Sequence, residues 1–393
     1  MRIRPSRPTA LRIVAACLLA CVAGLSVGVP RASAASAGDA PLSGGTETAG
    51  GSWAVLPMGQ LSDPSNTFWQ VLRAEPGSAL WSVVTPQGVA DNGGLVAGAS
   101  ARSTIVGTLP SGLLRFSPLS VSTNGGTSWS PVFLPGGLAA RPDALAAAAG
   151  PTAGSLAIVG TRVLRAGPSF APWSTLVSLP RLVRASRRCD ADALEAVAAA
   201  PDGAPLVATG CRRAGEVGVF TRSARGWAHV GVSLQGRLAS WSASVLRLET
   251  SGTQTIALVA AIRGNRLTLV TLRRSGIGPW ETSVPLAAPA GDAIHATAVG
   301  VGGTVSVLVG SKTSLAASAI APGGAWAALP VPPVDTVALA WVTPSATSLG
   351  VIALDALAVV GGTGLRVYTL TPVGAKWVPV QSTQVPLAYG SSG

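Results

Sequence analysis

Apolar positions in this chain come in short runs, cut at regular distances by Gly, Pro, Asn and Asp. Asp143-Ala-Leu, Asp192-Ala-Leu, Asp292-Ala-Ile and Asp335-Thr-Val each open a run of Ala and β-branched residues. Each run meets a turn, at 150–154, 201–203, 300–303 and 344–348, and a second apolar run follows at 156–160, 206–210, 305–310 and 349–354. Ser78-Ala-Leu and Ser242-Ala-Ser take the same slot in two more repeats. A third run and a Gly- or Pro-bearing turn come next, and then a Trp. Trp129, Trp173, Trp227, Trp280, Trp326 and Trp377 recur at intervals of 44, 54, 53, 46 and 51 residues. Leu134-Pro135, Leu179-Pro180 and Leu329-Pro330 follow several of them, as suits edge strands, where Pro forfeits no ladder donor.

Two elements compete for the Ala-rich runs. Ala is the best helix former, and Asp192-Ala-Leu-Glu195 has the form of a capping box. The runs are about eight residues long, marginal for a helix. The same slot elsewhere reads Val245-Leu-Arg-Leu248 or Thr297-Ala-Val299, residues that favour strands. The pattern therefore predicts four strands per repeat, the last led by Trp. Such a unit cannot bury both its faces alone, whereas a closed ring of units can.

The expected fold is an all-β β-propeller of six or seven four-stranded blades. Six repeats are complete between Trp81 and Pro386. In the remainder, Trp53-Ala-Val-Leu-Pro57 copies the outer-strand pattern and Phe68-Trp-Gln-Val-Leu72 adds a strand. With Gln384 to Tyr389 these would make a composite closing blade, and seven is the preferred count. The propeller is expected over 53–390, after a flexible 38–52 and before a disordered tail at 391–393.

The N-terminus changes the picture of where the chain works. Arg2, Arg4, Arg7 and Arg12 precede an apolar run from Ile13 to Val29, and Ala32-Ser33-Ala34 and Ala35-Ser36-Ala37 offer small-residue cleavage sites. This is the layout of a secretory signal peptide over 1–37. The run is short for a retained membrane anchor. Lipobox-like Cys17 and Cys21 are followed by further apolar residues, which disfavours lipoprotein anchoring. The expected location is secreted or extracytoplasmic, with no membrane span after cleavage. Removing the five Arg of the signal lowers the formal charge from +12 to +7.

Cys189 and Cys211 then remain as an even pair in an oxidising compartment, so a single disulfide is expected. Arg181, Arg184, Arg187 and Arg188, with Arg212, Arg213, Arg222 and Arg225, load one repeat with positive charge. Export makes nucleic acid an unexpected partner and anionic envelope polymers an accessible one.

Val121-Ser-Thr-Asn-Gly-Gly-Thr-Ser-Trp-Ser-Pro131 is the sharpest local motif. Asn124, Gly125 and Gly126 suit a turn needing positive φ, and the Asn side chain can accept from nearby amides. The spacing of Ser122, Asn124, Gly126, Ser128 and Trp129 resembles the Asp box of sialidase-like (Asp-box, or BNR-repeat) β-propellers, with Asn124 in the Asp place. The resemblance implies a structural turn on a blade rim. A catalytic member of that family would also have a Tyr–Glu pair, a general-acid Asp and three Arg. Here the only Tyr are Tyr368 and Tyr389, and the Phe/Tyr-Arg-Ile-Pro signature is missing. No catalytic residue is carried over.

Four carboxylates begin inner strands. In a ring Asp143, Asp192, Asp292 and Asp335 would circle one mouth of the central channel. Facing one cavity, they would repel unless a cation such as Ca²⁺ or a cationic ligand neutralised them. The alternative is that each caps its own turn. Glu195 and His295 fall where a neighbouring blade should pack, and His229 on an outer strand is expected to be exposed. Asp63 to Trp69 and Asp91 to Gly94 are polar-aromatic loops that would suit sugar. The functional expectation is a non-catalytic, monomeric recognition scaffold for a glycan, envelope polymer or protein, without a cofactor. The alternative is a sialidase-like glycoside hydrolase.

Overall fold

The computed structural model describes residues 43–59, 67–78, 80–86, 95–100, 103–108, 119–135, 142–147, 154–300, 302–310, 315–330, 336–342, 348–359, 362–370 and 376–386. Successive meanders are β1–β4 (residues 43–83), β5–β8 (95–132), β9–β12 (144–178), β13–β16 (191–229), β17–β21 (242–287), β22–β25 (293–329) and β26–β29 (336–386). Among the described residues they assort into six hydrogen-bonded sheets. Within each meander the ladders are antiparallel. One sheet has eight strands because β1 pairs in parallel with β22, Gly44 opposite Thr297, joining two meanders. In the fifth meander the outer strand is split, so that β20 and β21 both pair with β19. The fold is a β-propeller. The two expected counts meet here, as six sheets carry seven four-stranded meanders.

The core lies in slabs between meanders, and period-two alternation builds it. All seven residues of β14 (Pro205–Cys211) are buried. Leu206 and Ala208 enter a slab with Val245, Ala257 and Val259 of the next meander. Val207, between them, enters the opposite slab with Leu156, Ile158 and Val163 of the previous one. Ile256 and Leu258 of β18 (Gln254–Arg263) likewise face Val299 and Val305, while their neighbours face the other way. A strand buried on both faces reads as an unbroken apolar run, which is why these segments show little alternation in sequence.

Ala144–Ala146 and Ala191–Ala199 are strands β9 and β13, as the pattern predicts. Four of the seven inner strands, those of the last four meanders, share a defect. Register shifts fall between Leu194 and Ala196, Val245 and Arg247, Ile294 and Ala296, and Thr336 and Ala338. Each leaves one extra residue, Glu195, Leu246, His295 or Val337, as a backbone bulge.

Four expectations are corrected. The composite closing blade does not form: Gln384 stays in β29 opposite Gly364, and residues 43–83 supply four strands of their own. The sheets begin at Ser43, inside the segment expected to be flexible. Trp81 lies in the outer strand β4 (Trp81–Val83), and the inner strand of the second meander is β5 (Leu95–Ala99). Leu80 is 60% exposed, which an innermost strand would not allow. Trp53 sits in the second strand, β2 (Gly51–Gly59), rather than an outer one. In addition, Leu179-Pro180 opens a short helix, α1 (Leu179–Ala185), with Pro in its first turn, where the missing N–H costs nothing.

Candidate functional site

A groove of about 580 Å³ separates the outer edge of the second meander from the last turn of the third. One wall is β7 (Leu119–Ser122), β8 (Ser130–Val132) and Phe133 to Pro135; the other is Ser169 to Trp173. Just past β8, Leu134 is buried and Phe133 is 71% exposed. Phe170 and Trp173 are buried in the slab behind, with Leu145 and Leu164. Phe170 has φ of 59°, an uncommon conformation for a bulky residue. Its N–H bonds Gly167 O at 3.0 Å, and Ser169 Oγ donates to Ala171 O at 2.7 Å.

The turn that leads into β8 is a hydrogen-bonded unit. Asn124 Oδ1 accepts from Ser122 Oγ at 2.9 Å and from the Ser128 N–H at 3.0 Å. Asn124 Nδ2 donates to Ser128 Oγ at 2.8 Å, and the Gly126 N–H donates to Ser122 Oγ at 2.8 Å. Gly125 and Gly126 have φ of 72° and 83°, which only Gly adopts cheaply. Trp129 Nε1 donates to Val84 O at 2.8 Å, just past the outer strand of the preceding meander. Ser122, Asn124, Gly126 and Ser128 are thus joined in one turn, while Trp129 reaches the preceding meander.

That indole contact recurs. Trp280 Nε1 donates to Val230 O at 2.7 Å and Trp377 Nε1 to Pro330 O at 3.0 Å. In each case the acceptor is one residue beyond the previous outer strand. Three of the six periodic Trp, Trp129, Trp280 and Trp377, thus clamp neighbouring meanders. Trp173, on the groove, and Trp326 do not join them: their buried Nε1 atoms have no acceptor among the described residues.

Other expected site residues are dispersed. Cys189 and Cys211 form a disulfide, with Cα atoms 4.8 Å apart. Asp143 Oδ2 accepts from the Gly160 N–H at 2.8 Å, capping a turn of its own meander. Asp192 is turned toward Gly210 of its own meander, where an added Cβ would stand 2.6 Å from Oδ1. Asp292 is half-buried, and Asp335 lies outside the described residues. Among the described residues no three of His, Cys, Asp and Glu gather into a set that could hold a metal ion. Asp63 to Asn66, Asp91 to Gly94 and Tyr389 also lie outside the described residues.

Glu195 does reach the next meander: it accepts from Ser244 Oγ at 2.8 Å and the Val245 N–H at 2.7 Å. His295 instead bonds Gly310 O of its own meander at 3.0 Å. His229 is not exposed as expected. It is half-buried, 3.0 Å from Val217 O, with its ring 5.2 Å from Phe220. Burial pushes its pKa below 6.5, against the pull of the Val217 carbonyl. Phe133 and Phe170 were not singled out from sequence. The available signal was Pro131-Val-Phe-Leu134, where two large apolar side chains follow one another at the end of an edge strand, one buried and one exposed.

No protein-family model matches the chain, and no curated protein sequence does. Among solved structures, it is similar to a protein from Lactobacillus plantarum at 13% identity and a TM-score of 0.53, over 85% of this chain and 96% of that one. A puromycin hydrolase aligns at 12% identity and a TM-score of 0.47, over 89% of this chain and 55% of the hydrolase. The chain thus spans about half of that enzyme's length. A lectin from Aleuria aurantia aligns at 12% identity and a TM-score of 0.40, over 88% of this chain and 96% of the lectin. At these identities the likeness is one of fold.

Proposed function

We propose that the chain is an exported, non-catalytic recognition scaffold related to the sialidase-like propellers, and that the groove beside Phe133 holds a glycan. The observation that carries this reading is the groove's lining. Phe133, Pro131, Pro135 and Pro172 offer flat apolar surfaces, and Thr123, Ser130 and Ser169 offer hydroxyls. Apolar plates with a few polar groups are the usual make-up of a small-ligand site, and they suit the C–H face and hydroxyls of a pyranose.

None of the described residues that line it is titratable. A glycoside hydrolase needs two carboxyl groups about 5–10 Å apart across the scissile bond, and this groove supplies binding surfaces without them. The disulfide suits the oxidising compartment that the signal-like leader implies. A glycan array probed with the purified chain and with Phe133→Ala tests the proposal. Specific spots that vanish in the variant support it; retention of all spots, or none with the parent chain, rejects it.

A further inference from the structure

The arginine-rich repeat is not one patch. Arg222 and Arg225 flank the hairpin between β15 (Gly218–Ser223) and β16 (Gly226–His229), away from the others. The remaining arginines collect around the disulfide and extend along connections of successive meanders. Arg181 and Arg184 lie on α1, and Arg187 and Arg188 follow it. Cys189–Cys211 ties that segment to Arg212 and Arg213. The next loop joins the line through the Gly215 N–H, 2.7 Å from Trp241 O, which brings Arg237 of the 3-10 turn Gly236–Ser240 alongside. Arg263 Nη1 then donates to Ser240 Oγ at 3.3 Å, and Arg266 is three residues on.

All nine of these arginines are exposed. Among the described residues, Arg188 pairs with Glu216 and Arg212 approaches Asp190 at 3.8 Å. Arg181, Arg184, Arg187, Arg213, Arg237 and Arg266 make no ion pair with a described residue. Exposed surface pairs contribute little to stability, so a strip of guanidinium groups that mostly lack an ion pair with a described residue is not explained by holding the fold. Guanidinium presents a planar fork that matches two oxygens of a phosphate. Among the described residues, the one aromatic ring in the exposed large apolar side chains is Phe133, just past β8, and base stacking on aromatic rings finds no exposed ring among the described residues of this strip.

We infer that the strip around the Cys189–Cys211 disulfide docks a linear phosphodiester polymer through its repeating charges, independently of the groove. The test measures binding of a fluorescent polyglycerol phosphate to the disulfide-intact protein between 50 and 300 mM salt. Its variants are Arg181→Gln/Arg184→Gln/Arg187→Gln/Arg213→Gln, and Arg222→Gln/Arg225→Gln as the control. The parent should weaken steeply with salt. The fourfold variant should lose at least about 10-fold in affinity and flatten the log–log salt slope by about 3, with an unchanged urea midpoint, while the control moves less than about 2-fold. Equal losses in both variants, or a salt-independent Kd, would overturn the proposal. So would poly-L-glutamate competing as well per charge, or oligothymidine competing far better per charge.

Discussion

The side chain of Gln381 pairs with the backbone of Trp81 as a neighbouring strand would. Its Oε1 accepts from the Trp81 N–H at 2.7 Å, and its Nε2 donates to the Trp81 carbonyl at 2.8 Å. The two residues are 300 positions apart and belong to the last and first meanders. A ring of repeats frays where its ends meet, and this carboxamide supplies one donor and one acceptor at that seam.

Gln381→Ala would leave both backbone groups of a buried residue without that partner. Each orphaned group costs about 1–3 kcal/mol, so the variant should unfold at a clearly lower urea midpoint. Gln381→Glu keeps the acceptor and loses the donor, and should fall between the two. An unchanged midpoint for Gln381→Ala would mean that the seam is held elsewhere.

The indole clamps give a contrast within one residue type. Trp280→Phe removes the N–H that Val230 O accepts while keeping an aromatic ring, and should cost about 1–2 kcal/mol. Trp129→Phe should behave alike. Trp173→Phe, whose buried N–H has no described acceptor, should be neutral or mildly stabilising. Equal losses at all three positions in denaturant titrations would refute the clamp.

This periodicity marks how far the sequence could be read. Repeat length and strand type were legible because each slab needs apolar residues at every inner and middle strand position, as in Pro205–Cys211. The first meander was misphased: Trp53 copies the outer-strand pattern but serves in β2, and Trp81, placed by its neighbours in an inner-strand slot, leads the outer strand β4. Local composition cannot distinguish an indole that clamps a neighbour from one that fills a slab. The groove was illegible for a related reason: it is made by two outer edges, Phe133 and Ser169 to Trp173, whose closeness only ring geometry fixes.

His229 should tune stability with pH. Its folded pKa lies below 6.5 because burial disfavours the imidazolium. The unfolded chain therefore takes up a proton first as pH falls through about 6.5. Stability contributed by the neutral, buried ring is present above that pH and is lost on acidification toward the folded pKa. Parent and His229→Gln should differ in the pH dependence of the unfolding midpoint between pH 7 and 5, the variant being flatter. A histidine NMR titration above 6.5 would contradict the sign.

The disulfide closes a loop of about 20 residues, which the chain-entropy model values at roughly 3 kcal/mol. Cys189→Ala/Cys211→Ala should lower unfolding stability by that order. Because α1 and the 211–217 loop are tied through it, faster amide exchange in 179–190 should accompany the loss. Equal exchange in parent and variant would show that the bridge is not what holds this corner.

The most direct test of a binding groove without chemistry is titration calorimetry with a glycan selected on the array, followed by mass analysis of the recovered ligand. The account predicts saturable binding, abolished by Phe133→Ala, with the glycan returned intact after prolonged incubation. Cleavage of the glycan, or affinity indifferent to Phe133, would contradict it.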